Sequence, residues 1–289
     1  MSEHRGPSSS ETEIMHSQPM RAISRAEIEQ YREHGVVCLR GLFDPDWIPF
    51  LRQAAERGLA QPTRMRLEFA AEQQAPGRFF SDASMWTEQP DCRRFVTSSP
   101  AAEIAARLMG ADSVCLFFDQ WLIKEPGTPV RTPWHHDLPY WPVDGDQICS
   151  LWLALDPVDR ENGAVEYIRG SHRWNMRYQA QSFTGDDRYS EDLPKIPDIE
   201  ARRDELDIVS YDLSPGDCIV HHGLSVHGAF GNDSGQRRRA LVTRWAGDDA
   251  VYYPREGIMP QREEPDLPPG APVRSSVWPR IWPDCDIAT

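Results

Sequence analysis

The chain has 289 residues, 39% of them hydrophobic, which is enough for one sizeable core and ordinary for a single barrel or sandwich. A formal net charge of −14 argues against a nucleic-acid partner or an anionic membrane surface. No apolar run reaches the roughly 18 residues of a membrane span; the longest, ICSLWLALDPV, is broken by Asp156 and Pro157.

The opening MSEHRGPSSSETEIMHSQPM is polar and lacks the apolar centre of a signal peptide, so residues 1–21 are expected to be disordered and the protein cytoplasmic. Cys38, Cys92, Cys115, Cys149, Cys218 and Cys285 are scattered without a CxxC pair, which suits reduced, buried thiols. Residues 22–289 are expected to form one domain. SRAEIEQYREHG (24–35) carries a capping box, Ser24 to Glu27, and a terminal glycine, and so predicts a helix. VVCLRGLF follows as a strand. DPDWIPFLRQAAERGLA predicts a second helix, capped by Asp44 with Pro45 at its first position. SPAAEIAARLMG (99–110) predicts a third.

Beyond residue 110 the texture changes. SVCLFFDQWLIKEPG, QICSLWLALDPV, GAVEYIRGSH, DIVSYDLSPGDCIVHHG and RRALVTRWAGD are short runs rich in β-branched and aromatic residues, separated by Gly, Pro, Asn and Asp. The pattern is mainly β with an N-terminal helical layer packed on one sheet. Residues 173–205 are polar and weakly periodic, an excursion long enough to suggest a lid or substrate loop. The proline-rich tail from 254 onward is expected to wrap the surface without regular structure.

The chemistry concentrates in TPWHHDLPYW (132–141). On an extended strand, residues i and i+2 share a face. His135 and Asp137 could then chelate one ion, with His136 turned away. A third ligand must come from elsewhere, and VHHGLSVHGAF (220–230) offers His221, His222 and His227. Two histidines and one carboxylate around an ion with open positions suit a non-haem Fe(II) oxygenase. A structural zinc site would want four protein ligands, and no cysteine lies nearby. GNDSGQRRRALVTRW then supplies Arg237, Arg238 and Arg239 at a strand start. A buried arginine there suits a carboxylate clamp, as 2-oxoglutarate would need.

Taken in order, WLIKEPG, PWHHDLPYWP, LWLALDPVDRENGAVEYIRGSHRW, LSPGDCIVHHGLSVHGAFGNDSGQRRRALVTRW and AGDD resemble the phytanoyl-CoA dioxygenase family of Fe(II)/2-oxoglutarate oxygenases over residues 115–250. The resemblance implies a double-stranded β-helix (jelly-roll, cupin-like) core. It places the metal ligands and catalytic centre on His135, Asp137 and His227. It selects Arg238, eleven residues beyond His227, for oxoglutarate; strand parity sends Arg237 and Arg239 to the surface. Trp152 resembles a residue lining the oxoglutarate pocket. Thr132, Gln120 and Lys124 are further candidates for co-substrate contact. A serine that some relatives carry two residues after the distal histidine is Ala229 here. Asp137 argues against halogenation, since halogenating relatives replace that carboxylate.

The implied cofactors and co-substrates are Fe(II), 2-oxoglutarate and O2, and the implied reaction is hydroxylation of an unactivated C–H bond with release of succinate and CO2. Desaturation, epoxidation or ring formation at the same centre is the near alternative, and a non-catalytic metal-binding module the distant one. Tyr140, Trp141, Phe79 and Trp86, with Phe80 and Met85 beside them, are expected to wall a largely apolar substrate pocket. An acyl-CoA would need basic residues for its phosphates, and no cluster stands apart from GQRRR. The expected partner is therefore a small or medium organic molecule, a biosynthetic intermediate, with no nucleic acid and no membrane; oligomeric state is left open.

Overall fold

The computed structural model describes residues 15–69, 77–181, 192–256 and 258–287. Helix α1 (Arg25–His34) starts on the Ser24–Glu27 capping box, with both reciprocal bonds made. It stops at Gly35, whose φ of 71° is left-handed. A Cβ there would lie 2.3 Å from the His172 ring and 2.6 Å from Ser225 Oγ, so the turn demands glycine twice over.

Strand β1 (Val36–Leu39) leads to α2 (Trp47–Ala60). This helix begins later than Asp44 and Pro45 suggest: the Asp44 carboxylate accepts the Asp46 and His16 N–H groups, holding the turn ahead of the helix. Residues 15–21 are tied down in part, since the Met20 N–H also donates to Leu42 O; residues 1–14 lie outside the described residues. After β2 (Leu67–Glu68) and β3 (Phe79–Ala83) comes a helix the sequence reading lacked, Pro90–Ser98. It is short and has no side-chain N-cap, yet Pro90 opens it and Cys92, Phe95 and Val96, at helical spacing, are buried. The next helix is Ala101–Met109.

The remaining strands are β4 (Val114–Lys124), β5 (Thr132–His135), β6 (Val143–Asp144), β7 (Ile148–Ala154), β8 (Val165–Ile168), β9 (Ile208–Ser210), β10 (Cys218–His222), β11 (His227–Ala229), β12 (Arg238–Ala246), β13 (Val251–Tyr252) and β14 (Arg280–Trp282). Among the described residues the large sheet runs β1-β10-β7-β12-β4-β3-β2, with β14 also on β4, and the small sheet runs β5-β11-β8-β9. The two antiparallel sheets form the jelly roll expected from the sequence. The outer face of the large sheet (Trp121, Ile123, Leu151, Leu153, Leu241, Trp245) buries against the helices. Its inner face turns toward the small sheet. The tail departs from expectation: it adds β14 to the large sheet and buries Val273, Trp278 and Ile281.

Candidate active site

Register places the inner-face residues of the large sheet in rows. Lys124 pairs with Arg238; Gln120, Val242, Trp152 and Ile219 form one row; Phe118, Arg244, Ser150 and His221 form another. The small sheet faces them with Thr132, His135, Val165, Tyr167, His227 and Ala229, and one cavity lies between.

The three predicted ligands meet at one side of this cavity. One ligating atom each from His135, Asp137 and His227 lies within 4.8 Å of the others, and all three residues are buried. Asp137 Oδ1 stands 3.6 Å from His135 Nε2 and 3.8 Å from His227 Nε2. His135 and His227 are cross-strand partners on β5 and β11, so pairing alone brings their rings to 4.2 Å. Each Nδ1–H donates to a backbone carbonyl two residues earlier, Pro133 O at 2.7 Å and Ser225 O at 2.9 Å. That bond selects the tautomer whose Nε2 lone pair enters the site. Burial, reinforced by His135 and His221, holds the His227 pKa well below its usual value, so it is neutral and fit to ligate.

Asp137 arrives by a route that strand parity does not describe. Strand β5 ends at His135, and Asp137 has helical φ and ψ (−73°, −38°) at the cap of the short Leu138–Tyr140 turn. The Leu138 N–H anchors this turn to Gly223 O. Oδ2 of Asp137 accepts from Ser150 Oγ at 2.9 Å and from His221 Nε2–H at 3.2 Å. One oxygen is thereby occupied and the other faces the two histidines, so Asp137 is built to ligate through a single oxygen. Burial opposes its charge, but His227, His135 and His221 hold its carboxyl well below the usual range. Buried imidazole and carboxylate donors with an open side suit Fe(II).

Arg238 is 2% exposed, lies over the Trp152 ring at 5.4 Å, and donates to Leu122 O; its buried Nε has no hydrogen-bond partner among the described residues. Gly163 makes room for it, since a Cβ there would lie 3.2 Å from Arg238 Nη2. A buried guanidinium with unsatisfied donors needs an anion. A dicarboxylate such as oxoglutarate would suit a cavity lined by both Arg238 and the three converging side chains.

The family model for phytanoyl-CoA dioxygenase (PhyH) matches residues 31–240. The chain belongs to the phytanoyl-CoA dioxygenase family. It is similar to an ectoine dioxygenase of Sphingopyxis alaskensis, 26% identical over 262 residues and 84% of each chain. It is also similar to a probable phytanoyl-CoA dioxygenase of Caenorhabditis elegans, 26% identical over 134 residues, covering 43% of this chain and only 38% of that protein. The crystal structure of the epimerase SnoN with Fe3+, alpha ketoglutarate and nogalamycin RO shares the fold, with a TM-score of 0.71 at 24% identity over 89% of this chain and 97% of that one. As a member of the phytanoyl-CoA dioxygenase family, the protein is a 2-oxoglutarate-dependent non-haem iron dioxygenase, with iron, oxoglutarate and O2 as its reagents.

Of the other residues singled out in the sequence, Thr132, Trp152, Gln120, Tyr140, Trp141 and Phe79 line the cavity. Gln120 is turned toward Ser81, to whose Oγ it donates at 2.7 Å. Lys124 shares Gln120's parity but does not reach the cavity: its ammonium donates to Val130 O and Phe230 O behind Arg238, and burial drives its pKa well down. Trp86 is a correction. The chain turns after Ala83, the Trp86 N–H donates to Asp119, and the indole joins the core under the helices with Phe80 and Met85. Arg237 and Arg239 do point outward, into ion pairs with Glu56, Glu125 and Asp156. His136 points away to receive the Tyr178 N–H at 2.9 Å. In the 173–205 excursion, residues 182–191 lie outside the described residues; Arg177 pairs with Asp144, and the Gln181 backbone bonds Tyr140 Oη.

Ser150, Tyr167, Arg244 and Met259 are site neighbours that the sequence did not single out, and His221, offered as a possible third ligand, takes another place. His221 reads from sequence as a strand residue before a turn. The structure places it behind the ligands, bonded to Asp137 through Nε2–H and receiving the Tyr167 hydroxyl at Nδ1 over 3.3 Å. Inward parity with Trp152 and Arg238 would have flagged Ser150 and Arg244. Nothing local marks Met259, which reaches the cavity from the tail, where its N–H donates to Tyr140 O.

Proposed function

We propose that this oxygenase hydroxylates an unactivated C–H bond of a small or medium organic molecule, a biosynthetic intermediate, with release of succinate and CO2. The observation that carries the reading is the convergence of His135, Asp137 and His227 in one cavity with Arg238. Iron and oxoglutarate, when bound there, supply the activation of O2 and the cleavage of the C–H bond. The chain's own residues hold and orient. His135 and His227 present Nε2, Asp137 contributes one oxygen and one negative charge, and Arg238 grips the far carboxylate through its planar fork. Phe118, Tyr140, Trp141 and Met259 give the substrate side an apolar wall that excludes water. The 173–205 excursion would add polar contacts, a role supported by the Gln181–Tyr140 bonds at the rim. Retention of Asp137 supports oxygen rather than halogen transfer.

The test is direct. Anaerobic Fe(II) and oxoglutarate should give a weak visible charge-transfer band, and admitting O2 with a substrate library should give succinate. Mass analysis then separates gain of one oxygen (hydroxylation) from loss of two hydrogens (desaturation or ring formation). Absence of both band and succinate would reduce the protein to a metal-binding module.

A further inference from the structure

Arg244 has no task in the machinery described above. It sits six residues after Arg238 on β12 and on the same inner face, which puts the two Cα atoms about 20 Å apart. It is 7% exposed, and its Nε and Nη1 have no hydrogen-bond partner among the described residues. Its guanidinium lies 4.4 Å over the Phe118 ring and 5.7 Å from that of Trp141. Phe117, Phe118 and Trp141 form an edge-to-face cluster there. The β4–β12 register shifts between Arg244 and Trp245, a bulge of the kind that re-aims side chains beside binding sites.

The construction repeats that of Arg238: a buried guanidinium against a tryptophan, with open donors, on the wall of the same cavity. Neither nearby acid makes an ion pair or hydrogen bond with Arg244 among the described residues, although Asp119 Oδ2 is itself buried without a partner. Asp137 faces the metal site with one oxygen and accepts from Ser150 and His221 with the other. Asp119 lies on the opposite face of β4 and accepts the Trp86 N–H. With a metal dication on the triad and the oxoglutarate dianion on Arg238, those charges compensate one another, and Arg244 remains the uncompensated cation. An uncompensated buried charge is costly, so the site is complete only with a further anion.

We propose that Arg244 binds a carboxylate of the primary substrate, making this enzyme selective for carboxylic acids whose apolar body rests on Phe118, Trp141, Tyr140 and Met259. One cation among apolar neighbours matches a monoanion; a phosphate dianion would want further donors. The inference deepens the proposed hydroxylase reading and rests on it for the co-substrate position.

The experiment uses Mn(II)-loaded protein and isothermal titration calorimetry with three ligands: oxoglutarate, 3-phenylpropanoate and 3-phenylpropanamide. With oxoglutarate bound, the wild type should prefer the carboxylate over the amide by tenfold or more. In Arg244→Leu the preference should shrink to less than threefold while oxoglutarate affinity stays within threefold of wild type. Arg244→Lys should keep part of the preference, and it carries the comparison if the leucine variant does not fold. No carboxylate preference in the wild type overturns the proposal. So does a loss of oxoglutarate affinity in the Arg244 variants as large as that in Arg238→Ala, which would make Arg244 a second co-substrate clamp. If the wild type binds no oxoglutarate, the hydroxylase reading fails by itself; the two phenylpropane ligands with Mn(II) alone still decide for or against the Arg244 subsite.

Discussion

The two ends of β12 carry the same residue in the same kind of setting, yet only one was legible as a binding site. At one end Arg238 lies over Trp152, beside Gly163 and in front of Lys124. At the other Arg244 lies over Phe118 and Trp141, with Ser150, His221 and Asp137 close by. The Arg238 end is narrowed by Gly163 and the Leu122 carbonyl, a setting that would suit one end of a dicarboxylate. The Arg244 end is walled by large aromatics and by Met259 from the tail, the composition of a site that sorts one organic molecule from another. On the proposed reading a single strand serves co-substrate at one end and substrate at the other, because its inward residues recur at every second position along the cavity.

The comparison can be broken at several points, the most severe between the two ends. Asp137→Ala should remove turnover, by three orders of magnitude or more, since it deletes a ligand and strands two buried donors; near-normal succinate formation would show the triad to be misplaced. Arg238→Ala should leave iron binding intact and raise the oxoglutarate requirement strongly, corresponding to roughly 2–5 kcal/mol for a buried partner left unpaired. An unchanged oxoglutarate affinity would remove the distinction between the two arginines.

Behind the Arg244 end, burial lifts the Asp119 pKa to about 7, despite the Trp86 N–H that favours its charge. The unfolded chain loses that proton near the ordinary carboxylate value of about 4. The folded state binds the extra proton in between, so the associated stability is complete below about pH 4 and is lost as pH rises through 7. Urea unfolding from pH 4 to 7 should show this decline, of a few kcal/mol at most (about 1.4 per pKa unit), and Asp119→Asn should flatten it. Parallel curves would mean that Asp119 keeps an ordinary carboxylate pKa in the folded state.

His221→Phe should weaken metal binding about 10- to 100-fold, the usual cost of losing a group that orients a ligand. Iron titration would read it, and wild-type affinity would show that Ser150 suffices. Smallest of all, Arg237→Ala should change stability by no more than about 1 kcal/mol and leave oxoglutarate affinity alone, because its pairs with Glu56 and Glu125 are at the surface.

Much of this was readable from one chain. The mainly β core, the capping box of α1 and the candidate ligands His135 and His227 follow from local pattern and the family resemblance, since turn glycines, caps and alternation are short-range signals. His135 and Asp137 do converge as strand parity suggests, but for a different reason, because Asp137 stands in a turn rather than on the strand. Trp86 and Lys124 lie outside the cavity for separate reasons: an aromatic run does not show where the chain leaves the sheet, and strand parity does not show which backbone carbonyls capture a long side chain first. The Pro90–Ser98 helix gives a weaker signal than α1 because it is only nine residues long and lacks a side-chain cap, although Pro90 and the spacing of Cys92, Phe95 and Val96 mark it.

The sequence by itself determined the chemistry: two histidines, one aspartate and a strand-initiating arginine at spacings that admit a metal and a dicarboxylate. Only the tertiary structure decided what surrounds them. His221 and Ser150 reach Asp137 from β10 and β7, Met259 arrives from the tail, and Arg244 meets Phe118 across a bulge. These contacts join residues far apart in the chain: cross-strand register sets the place of Arg244 against Phe118, while a turn places Asp137 and the tail places Met259, and no local pattern encodes any of these.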